Sequence, residues 1–346
     1  MLAAATRFPT RILRWHYRSR HPKLIAFSNR EFYHSDLIVF PAPGDIRIED
    51  GLFYHDIADG IYIDNTNIVE AQAVVDAVCR HARSNPSRTL VVVTLNHHQR
   101  DLILGLLERV EKDDAVLAAY RQRHEKSPEP LEVKNLENVQ GDERDVVMIS
   151  ITFGRGPAGQ LLQHFGPINK TGGERRLNVL FTRAKHRLDV FCSFNPADLR
   201  VEEATPRGVQ VLRDYLRYAQ DSNWASGRQN QRAPDSPFEV AVARALEGHG
   251  LRVDLQIGVA GYFVDLAIVH PEHPGTYILG VECDGATYHS AKSARDRDRL
   301  RQQVLENLGW SIHRIWSTDW FRDPVGQSAR VAQRVSELLE IENQTR

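Results

Sequence analysis

Cysteine is scarce in this sequence. The 3 cysteines are Cys79, Cys192 and Cys283, an odd number with no Cys-x-x-Cys spacing. This pattern excludes a disulfide-stapled scaffold, because such scaffolds need paired cysteines, and it argues against a zinc knuckle. Reduced thiols in the cytoplasm fit the pattern best, so we expect a cytoplasmic protein.

Long apolar runs and an excess of either charge sign are also missing. Hydrophobic residues make up 42% and charged residues 26% of the 346 residues, so neither disorder nor a membrane span is expected. Residues 2–5 are too short for the apolar region of a signal peptide. The formal net charge of -1 does not by itself indicate a nucleic-acid partner, but the basic clusters at residues 11–23 and 175–187 are compatible with one.

The phosphate-binding P-loop of an ATPase is the third absence. Such a loop needs Gly-Lys-Ser/Thr to cradle phosphates and hold Mg²⁺, and none of the 22 glycines is followed by lysine. Residues 154–159 are glycine-rich without the lysine, and Pro157 removes an N–H donor. Half of an ATPase site is therefore missing from the sequence.

Amphipathic helices alternate with apolar strands in the first two hundred residues. Residues 67–79 have the apolar spacing of a helix, residues 90–93 form a continuous apolar run, and a further helix begins at Gln99. A continuous apolar strand between two helices is typical of a sheet covered on both faces. The pattern predicts a parallel α/β sheet.

Three segments of this region carry polar residues suited to a nucleotide. They are residues 17–22 with Arg18, residues 138–145 with Gln140, Gly141 and Glu143, and residues 177–184 with Arg183. The Gln140 amide can donate and accept, Gly141 allows close backbone approach, and Glu143 can accept from a sugar hydroxyl. Arg183 suits the role of an arginine finger, because a guanidinium is a fixed fork that can insert between phosphates. Taken singly, each segment is also explained by a surface arginine, a polar turn or a solvated basic face.

Together these segments closely resemble the second RecA-like domain of superfamily 1 helicases, in the branch of the nonsense-mediated-decay helicase, over residues 12–195. The resemblance implies that Arg18 and Arg183 reach the γ-phosphate of ATP. It also implies that Gln140 and Glu143, beside Gly141, line the nucleotide and couple it to nucleic acid. Because the P-loop is missing, we infer the C-terminal part of a larger helicase-nuclease, with a P-loop-containing N-terminal helicase half as its partner.

Acidic residues interrupt two apolar segments, residues 263–269 and 277–285. As strands with a period of two, the segments place one apolar set on a common core face: Val264, Leu266, Ile268, Leu279, Val281 and Cys283. The opposite face then carries Asp265, Glu282 and Asp284, which a chain burying apolar surface does not place in mid-strand without a reason.

The expected antiparallel register brings two of these acids together. With His270 opposite Tyr277, Asp265 lies directly across from Glu282, with Cβ atoms about 4.5 to 5.5 Å apart. The carboxylates repel each other unless a cation lies between them, and their oxygens suit Mg²⁺ or Mn²⁺. The alternative interpretation is a solvated strand edge.

A metal held by carboxylates is suited to phosphodiester hydrolysis, because it acidifies a water and offsets phosphate charge. His289, which follows the strands, can take or give the proton, although it equally suits a turn cap. Ser236 and Pro237 begin a helix that carries Glu239, whose alternative role is that of an acid favoured by the helix dipole.

Several spaced segments agree with one family pattern: Asp265, then residues 282–285, 288–289, 296–299 and 308–310. Together they resemble the very-short-patch-repair-type branch of the PD-(D/E)xK restriction-endonuclease fold, over residues 236–321. The resemblance implies a metal-dependent nuclease in which Asp265 and Glu282 bind the metal, His289 assists and Glu239 approaches the metal. We count Cys283 among the metal-binding positions.

The sequence departs from that family pattern at Asp284, where most of the superfamily has lysine. We retain Asp284 as a catalytic candidate, but the base or charge-stabilising role is open at this point.

The expected architecture is a RecA-like parallel-sheet helicase domain followed by a restriction-endonuclease-like α/β domain. We place the first domain in residues 1–200, a helix and linker in residues 201–235, and the nuclease domain in residues 236–346. The expected cofactors are Mg²⁺ or Mn²⁺, and ATP when a partner domain supplies the P-loop. DNA is the expected substrate, with no membrane partner. The alternatives are a non-catalytic DNA-binding module and an RNA substrate.

Overall fold

The computed structural model describes residues 15–16, 18–39, 43, 50–221, 234–259, 262–273, 276–285, 301–306 and 308–345. The chain divides into two compact units. The first unit comprises residues 18–32 and 46–226, and the second comprises residues 1–17, 33–45 and 227–346.

The described helices of the first unit are α1 (Lys23–Tyr33), α2 (Ile68–Ser84), α3 (His97–Asp113), α4 (Ala115–Glu125), α5 (Gly173–Phe181) and α6 (Arg207–Gln220). Strands β1 (Trp15–His16) and β2 (Ile38–Val39) form a two-stranded parallel pair of the second unit. The described strands of the first unit are β3 (Gly51–Asp56), β4 (Leu90–Thr94), β5 (Glu132–Asn135), β6 (Arg144–Gly154) and β7 (Ala184–Ser193). Short 3₁₀ helices lie at Leu136–Asn138, Gly166–Asn169 and Pro196–Asp198.

The first unit is a five-stranded parallel sheet in the order β3-β7-β6-β4-β5, with helices on both faces. Every residue of β4 is buried, because alternate side chains enter two different cores. Val91 and Val93 pack with residues of α1, α5 and α6, whereas Leu90 and Val92 pack with residues of α2, α3 and α4. The predicted RecA-like parallel sheet is confirmed.

A buried carboxylate joins α2 to the carboxyl ends of two strands. Glu70 has no solvent exposure and accepts hydrogen bonds from Ser150 Oγ, Thr152 N and Ser193 Oγ, each at 2.6 Å. Burial raises the pKa of Glu70 to about 7. The backbone at Thr152 is left-handed, with φ of 70°, and Glu70 therefore satisfies an N–H at a distorted point of β6.

The second unit continues with α7 (Pro237–Gly248), β8 (Val253–Val259), β9 (Tyr262–Val269), β10 (Tyr277–Asp284), β11 (Ile312–Trp316), α8 (Ser317–Arg322) and α9 (Pro324–Thr345). Residues 301–306 are also helical. The sheet order is β11-β10-β9-β8, with β8, β9 and β10 antiparallel and β11 parallel to β10. Ser236 caps α7 as predicted, since its hydroxyl accepts from Glu239 N.

At the start of β10, the pairing with β9 differs from the predicted pairing. Tyr277 pairs with Val269 rather than His270, but the register shifts by one residue before Leu279, which pairs with Ile268. From that point Val281 pairs with Leu266, so the next positions along the two strands are Glu282 and Asp265. The irregularity restores the register that places the two acids side by side.

The structure places one predicted core residue on the opposite face of the sheet. Leu266, Ile268, Leu279, Val281 and Cys283 contact the core formed with α7 and α9, as predicted. Val264 lies instead in the core on the other face of the sheet, with Ile257 and Trp310. The neighbouring strand changes face at the same point, because Leu255 contacts the first core and Ile257 the second, and Gln256 between them has a left-handed backbone with φ of 50°.

None of the described helices is both long and apolar enough to cross a membrane.

Candidate functional site

Four polar side chains of the second unit meet where β8, β9 and β10 pass the start of α7. Glu239, from the first turn of α7, and Glu282, from β10, are buried. Gln256 is 1% exposed, and its Nε2 donates to Glu239 Oε2 at 2.7 Å and lies 3.5 Å from Asp265 Oδ1. The structure therefore brings together three of the acids that were predicted from the sequence. The amide of Gln256, which lies among them, was not predicted.

Asp265 holds its position through the backbone of the next strand. Its Oδ2 accepts a hydrogen bond from Cys283 N at 2.8 Å. The paired positions of β9 and β10 end at Leu266 and Val281, so a side-chain carboxylate takes the place of a ladder carbonyl for this N–H. The strands end their regular pairing where the acids converge.

The cluster holds more negative charge than its donors offset. Burial is the largest cause that raises the pKa of Asp265 to about 7, and the carboxylates of Glu282 and Glu239 act in the same direction. The hydrogen bond from Cys283 and the charge of Arg301 oppose the rise. Arg301 Nη2 lies 3.7 Å from Glu282 Oε2, which makes it a partial counter-charge.

The chemistry of this cluster fits a hard divalent cation, because it offers carboxylate oxygens and one amide oxygen. The oxygens are not gathered tightly, however. Among the described residues, Glu239, Asp265 and Glu282 do not form a group whose ligand atoms all lie within 4.8 Å of one another. The Gln256 amide lies between Glu239 and Asp265 as a hydrogen-bond donor. Metal binding therefore requires this amide to turn or move aside.

Another group of possible ligands does satisfy the 4.8 Å limit: His270, His273 and Glu342. His270 Nε2 lies 2.8 Å from Glu342 Oε2, and His270 Nδ1 accepts from Glu272 N at 3.1 Å and His273 N at 3.2 Å. Because Nδ1 accepts, the proton of a neutral ring is on Nε2, the atom that a metal would need. We interpret the group as a hydrogen bond that ties α9 to the end of β9.

Asp284, at the end of β10, takes part in an ion pair. Its Oδ2 lies 3.0 Å from Arg314 Nη1, and Arg314 is the register partner of Glu282 on β11. Sequence reasoning missed Arg314 because nothing in the sequence states that β11 runs parallel to β10. His289, the predicted proton carrier, lies outside the described residues.

Cys283 contributes its backbone to the cluster. Its side chain packs against the core shared with α7 and α9, while its N–H reaches Asp265. Burial, with smaller contributions from Asp265 and Glu239, raises the pKa of the thiol. A protonated thiol is a poor ligand for Mg²⁺.

The predicted nucleotide residues of the first unit meet at the amino ends of β6 and β7. Arg18 Nε donates to Glu143 Oε2 at 2.8 Å, and Arg18 Nη1 donates to Thr182 O at 3.3 Å. Arg183 Nε donates to Val179 O at 2.8 Å, and its Nη1 donates to Asp142 O at 3.1 Å. All three sequence segments therefore share one location.

The turn between these contacts is open. Gln140 and Gly141 are exposed, and Gly141 has a φ of 94°, a conformation that favours glycine. A ligand can reach the amide and backbone of this turn without displacing the core.

Two family models match separate parts of the chain. Residues 54–195 match the family described as AAA domain, and residues 238–335 match the family REase_MTES_1575. The matches fall on the parallel sheet of the first unit and on the acid cluster of the second. The chain therefore has two regions, one similar to the AAA domain family and one similar to the family REase_MTES_1575.

Two curated relatives carry similar sequence. One is described as uncharacterized ATP-dependent helicase MG140 of Mycoplasma genitalium, with 29% identity over 337 residues, and the other as its homolog in Mycoplasma pneumoniae, with 29% identity over 332 residues. The matches cover 92% and 91% of this chain, and the chain spans 29% of the length of each relative.

A solved structure titled as the C-terminal domain of a possible DNA helicase from Lactobacillus plantarum is also similar. Its TM-score is 0.29 at 15% identity, over 54% of this chain and 96% of that chain.

Proposed function

We propose that the second unit is a metal-dependent DNA endonuclease, joined to a helicase domain that completes an ATP site with a P-loop-containing helicase half. The observation that carries the nuclease proposal is the convergence of Glu239, Asp265 and Glu282 around Gln256. Buried carboxylates from a helix and two strands, with one of them at a raised pKa, are groups that a bound cation would stabilise. We propose residues 236–346 as the nuclease domain, after the linker in residues 201–235.

The proposed reaction is hydrolysis of a phosphodiester. The oxygen of water bonds to phosphorus as the bond from phosphorus to the leaving sugar oxygen breaks; one water proton ends on that sugar oxygen and the other stays on the product phosphate. A bound Mg²⁺ or Mn²⁺ supplies an acidified water and offsets phosphate charge. Asp265 and Glu282 are the proposed ligands, with Glu239 approaching the ion. Cys283 N–H fixes the orientation of Asp265.

The first unit is the proposed nucleotide-coupling half of a helicase. Arg18 and Arg183 are the proposed phosphate contacts, and Gln140, Gly141 and Glu143 are the proposed nucleotide-lining residues. Arg183 is already held by two backbone carbonyls, which supports a fixed orientation for its guanidinium.

Cleavage assays on plasmid and single-stranded DNA test the nuclease proposal. Wild-type chain with Mg²⁺ or Mn²⁺ is expected to cut, and Asp265→Asn to lower the single-turnover rate by about 10²-fold or more, because the metal loses a charged ligand. Glu340→Gln, an exposed carboxylate of α9, is the control and should cut normally. Equal inertness of wild type and Asp265→Asn with every divalent ion would reject the proposal.

A non-catalytic DNA-binding module is the second candidate. Two observations favour it: Asp284 stands where a nuclease lysine is expected, and Gln256 separates the acids. DNA binding in EDTA, measured by fluorescence anisotropy, without cleavage in Mg²⁺ would support this function. Competition between matched DNA and RNA strands separates the two nucleic acids as substrates.

A further inference from the structure

The proposed nuclease site lacks the positive charge that a lysine at position 284 would supply. Asp284 occupies the position at which most of the superfamily that this segment resembles has a lysine, and a carboxylate repels a phosphate oxygen where an ammonium attracts it. A chain that cuts DNA in this site therefore needs a cation from another element. In the part of the chain that the structure describes, β11 and the helical residues 301–306 each bring an arginine near the acids.

The register of β11 brings a cation to the same face as the acids. Gly280 pairs with Ile312, Glu282 with Arg314 and Asp284 with Trp316. Partners in adjacent strands direct their side chains to one face of a sheet. A Cβ built on Gly280 would lie 2.8 Å from Ile312 Cδ1, which places the side chain of Ile312 directly over Gly280. Arg314, two residues further along β11, lies over the acidic end of β10.

The contacts of Arg314 aim its guanidinium at this end. Nη1 lies 3.0 Å from Asp284 Oδ2, and Nη2 lies 3.5 Å from Gln302 Oε1. The guanidinium carbon is 5.9 Å from the centre of the Trp316 ring. The Arg314 side chain keeps 22% of its exposure, so a ligand can reach it from solvent.

Among the described residues, Arg301 also lies near the acids, and its contacts suit a different role. Its Nη2 donates to Phe263 O at 3.3 Å and lies 3.7 Å from Glu282 Oε2. This arginine therefore links a backbone carbonyl of β9 to a proposed metal ligand. Arg314 contacts Asp284, the position at which the lysine is replaced.

We infer that Arg314 is a catalytic residue that binds the scissile phosphate of a nucleic acid, and that Asp284 is the residue that positions it. The inference rests on the proposed nuclease function. It assigns Asp284 to holding the arginine and not to holding metal. The cation is thus supplied from β11, across the strand pair, in place of a lysine on β10.

The chemistry of the guanidinium suits this role. Its planar N–H groups can donate to two oxygens of one phosphate, and it stays charged at any working pH. Negative charge grows on the non-bridging oxygens as water bonds to phosphorus and the bond to the sugar oxygen breaks. Fixed N–H donors stabilise that charge without transferring a proton.

The test moves the positive charge of the side chain from position 314 to position 284. Single-turnover cleavage of a labelled DNA duplex in Mg²⁺ is measured for the full chain as wild type, Arg314→Ala, Arg314→Gln and the double variant Arg314→Ala with Asp284→Lys. Mn²⁺ binding by electron paramagnetic resonance and the melting temperature of each variant are measured beside it. Arg330→Ala removes an exposed arginine of α9 and serves as the control.

Arg314→Ala and Arg314→Gln are expected to slow cleavage by about 10²- to 10³-fold, with Mn²⁺ binding unchanged. The double variant is expected to recover at least about tenfold, because the Asp284→Lys change returns a positive charge to the phosphate. Added guanidinium ion is expected to rescue Arg314→Ala in part, which a purely structural role would not permit.

Three outcomes overturn the inference. Cleavage by both Arg314 variants at the wild-type rate rejects it and leaves the nuclease proposal intact. A loss of Mn²⁺ binding in parallel with the rate places Arg314 in the metal site instead. Inert wild-type chain, with Asp265→Asn equally inert, rejects the nuclease proposal and this inference with it.

Discussion

Gln256 donates to Glu239 at 2.7 Å, and the same amide nitrogen lies 3.5 Å from Asp265. One neutral side chain therefore stands between two carboxylates, where it occupies space that a cation needs. We therefore expect the amide to stabilise the cluster and to compete with a metal ion for the carboxylates.

Gln256→Leu is expected to destabilise the protein in EDTA by about 1–3 kcal/mol, because buried Glu239 loses one of its hydrogen-bond donors. The loss should be smaller in Mg²⁺, since the cation then replaces the amide as the partner of the acids. Thermal unfolding with and without Mg²⁺ measures both quantities, and Gln333→Leu on the exposed face of α9 is the control. An equal loss in EDTA and in Mg²⁺ would contradict the competition.

The raised pKa of Asp265, about 7, predicts a pH dependence of stability. An unfolded aspartate titrates near 3.8, so between these values the folded state binds more protons than the unfolded state. The contribution of Asp265 to folding free energy therefore becomes less favourable as pH rises from about 4 to 7.

Asp265→Asn removes this titration. In EDTA, its unfolding free energy relative to wild type should rise steadily across that pH range, measured by urea unfolding at each pH. A difference between variant and wild type that does not change with pH would contradict the assigned shift.

Glu70 of the first unit supports a second stability prediction. Glu70→Gln keeps one acceptor oxygen but places an NH₂ group where a carboxylate oxygen accepts from Ser193 Oγ. Glu70 has no solvent exposure, so a loss of about 1–3 kcal/mol is expected. Chemical unfolding measures the loss, and Glu108→Gln at an exposed position of α3 should change stability little.

The chain by itself is expected not to hydrolyse ATP. Arg18, Glu143 and Arg183 meet in the first unit, but the Gly-Lys pair of a P-loop is missing from the sequence. A phosphate-release assay with single-stranded DNA present measures the rate. Robust turnover that Arg183→Ala abolishes would prove this prediction wrong.

Much of the fold could be predicted from the sequence, because the evidence for it is local. The apolar run in residues 90–93 predicted a strand covered on both faces, and β4 is buried throughout. The sequence also predicted the register that places Asp265 beside Glu282. It predicted a different residue opposite Tyr277, however, because Tyr277 pairs with Val269 and not with His270. The irregularity that corrects this register has no distinctive sequence pattern.

The sequence by itself determined which chemical groups the chain carries and which of its segments become helices and strands. Periodicity and motif spacing act over a few residues and are visible in one dimension. The tertiary structure decided that Gln256 enters the acid cluster, that Val264 leaves its expected face and that Arg314 lies beside Asp284. Each of these depends on a backbone reversal or on the pairing of strands distant in sequence. Only the folded sheet specifies such contacts, because strand pairing is non-local.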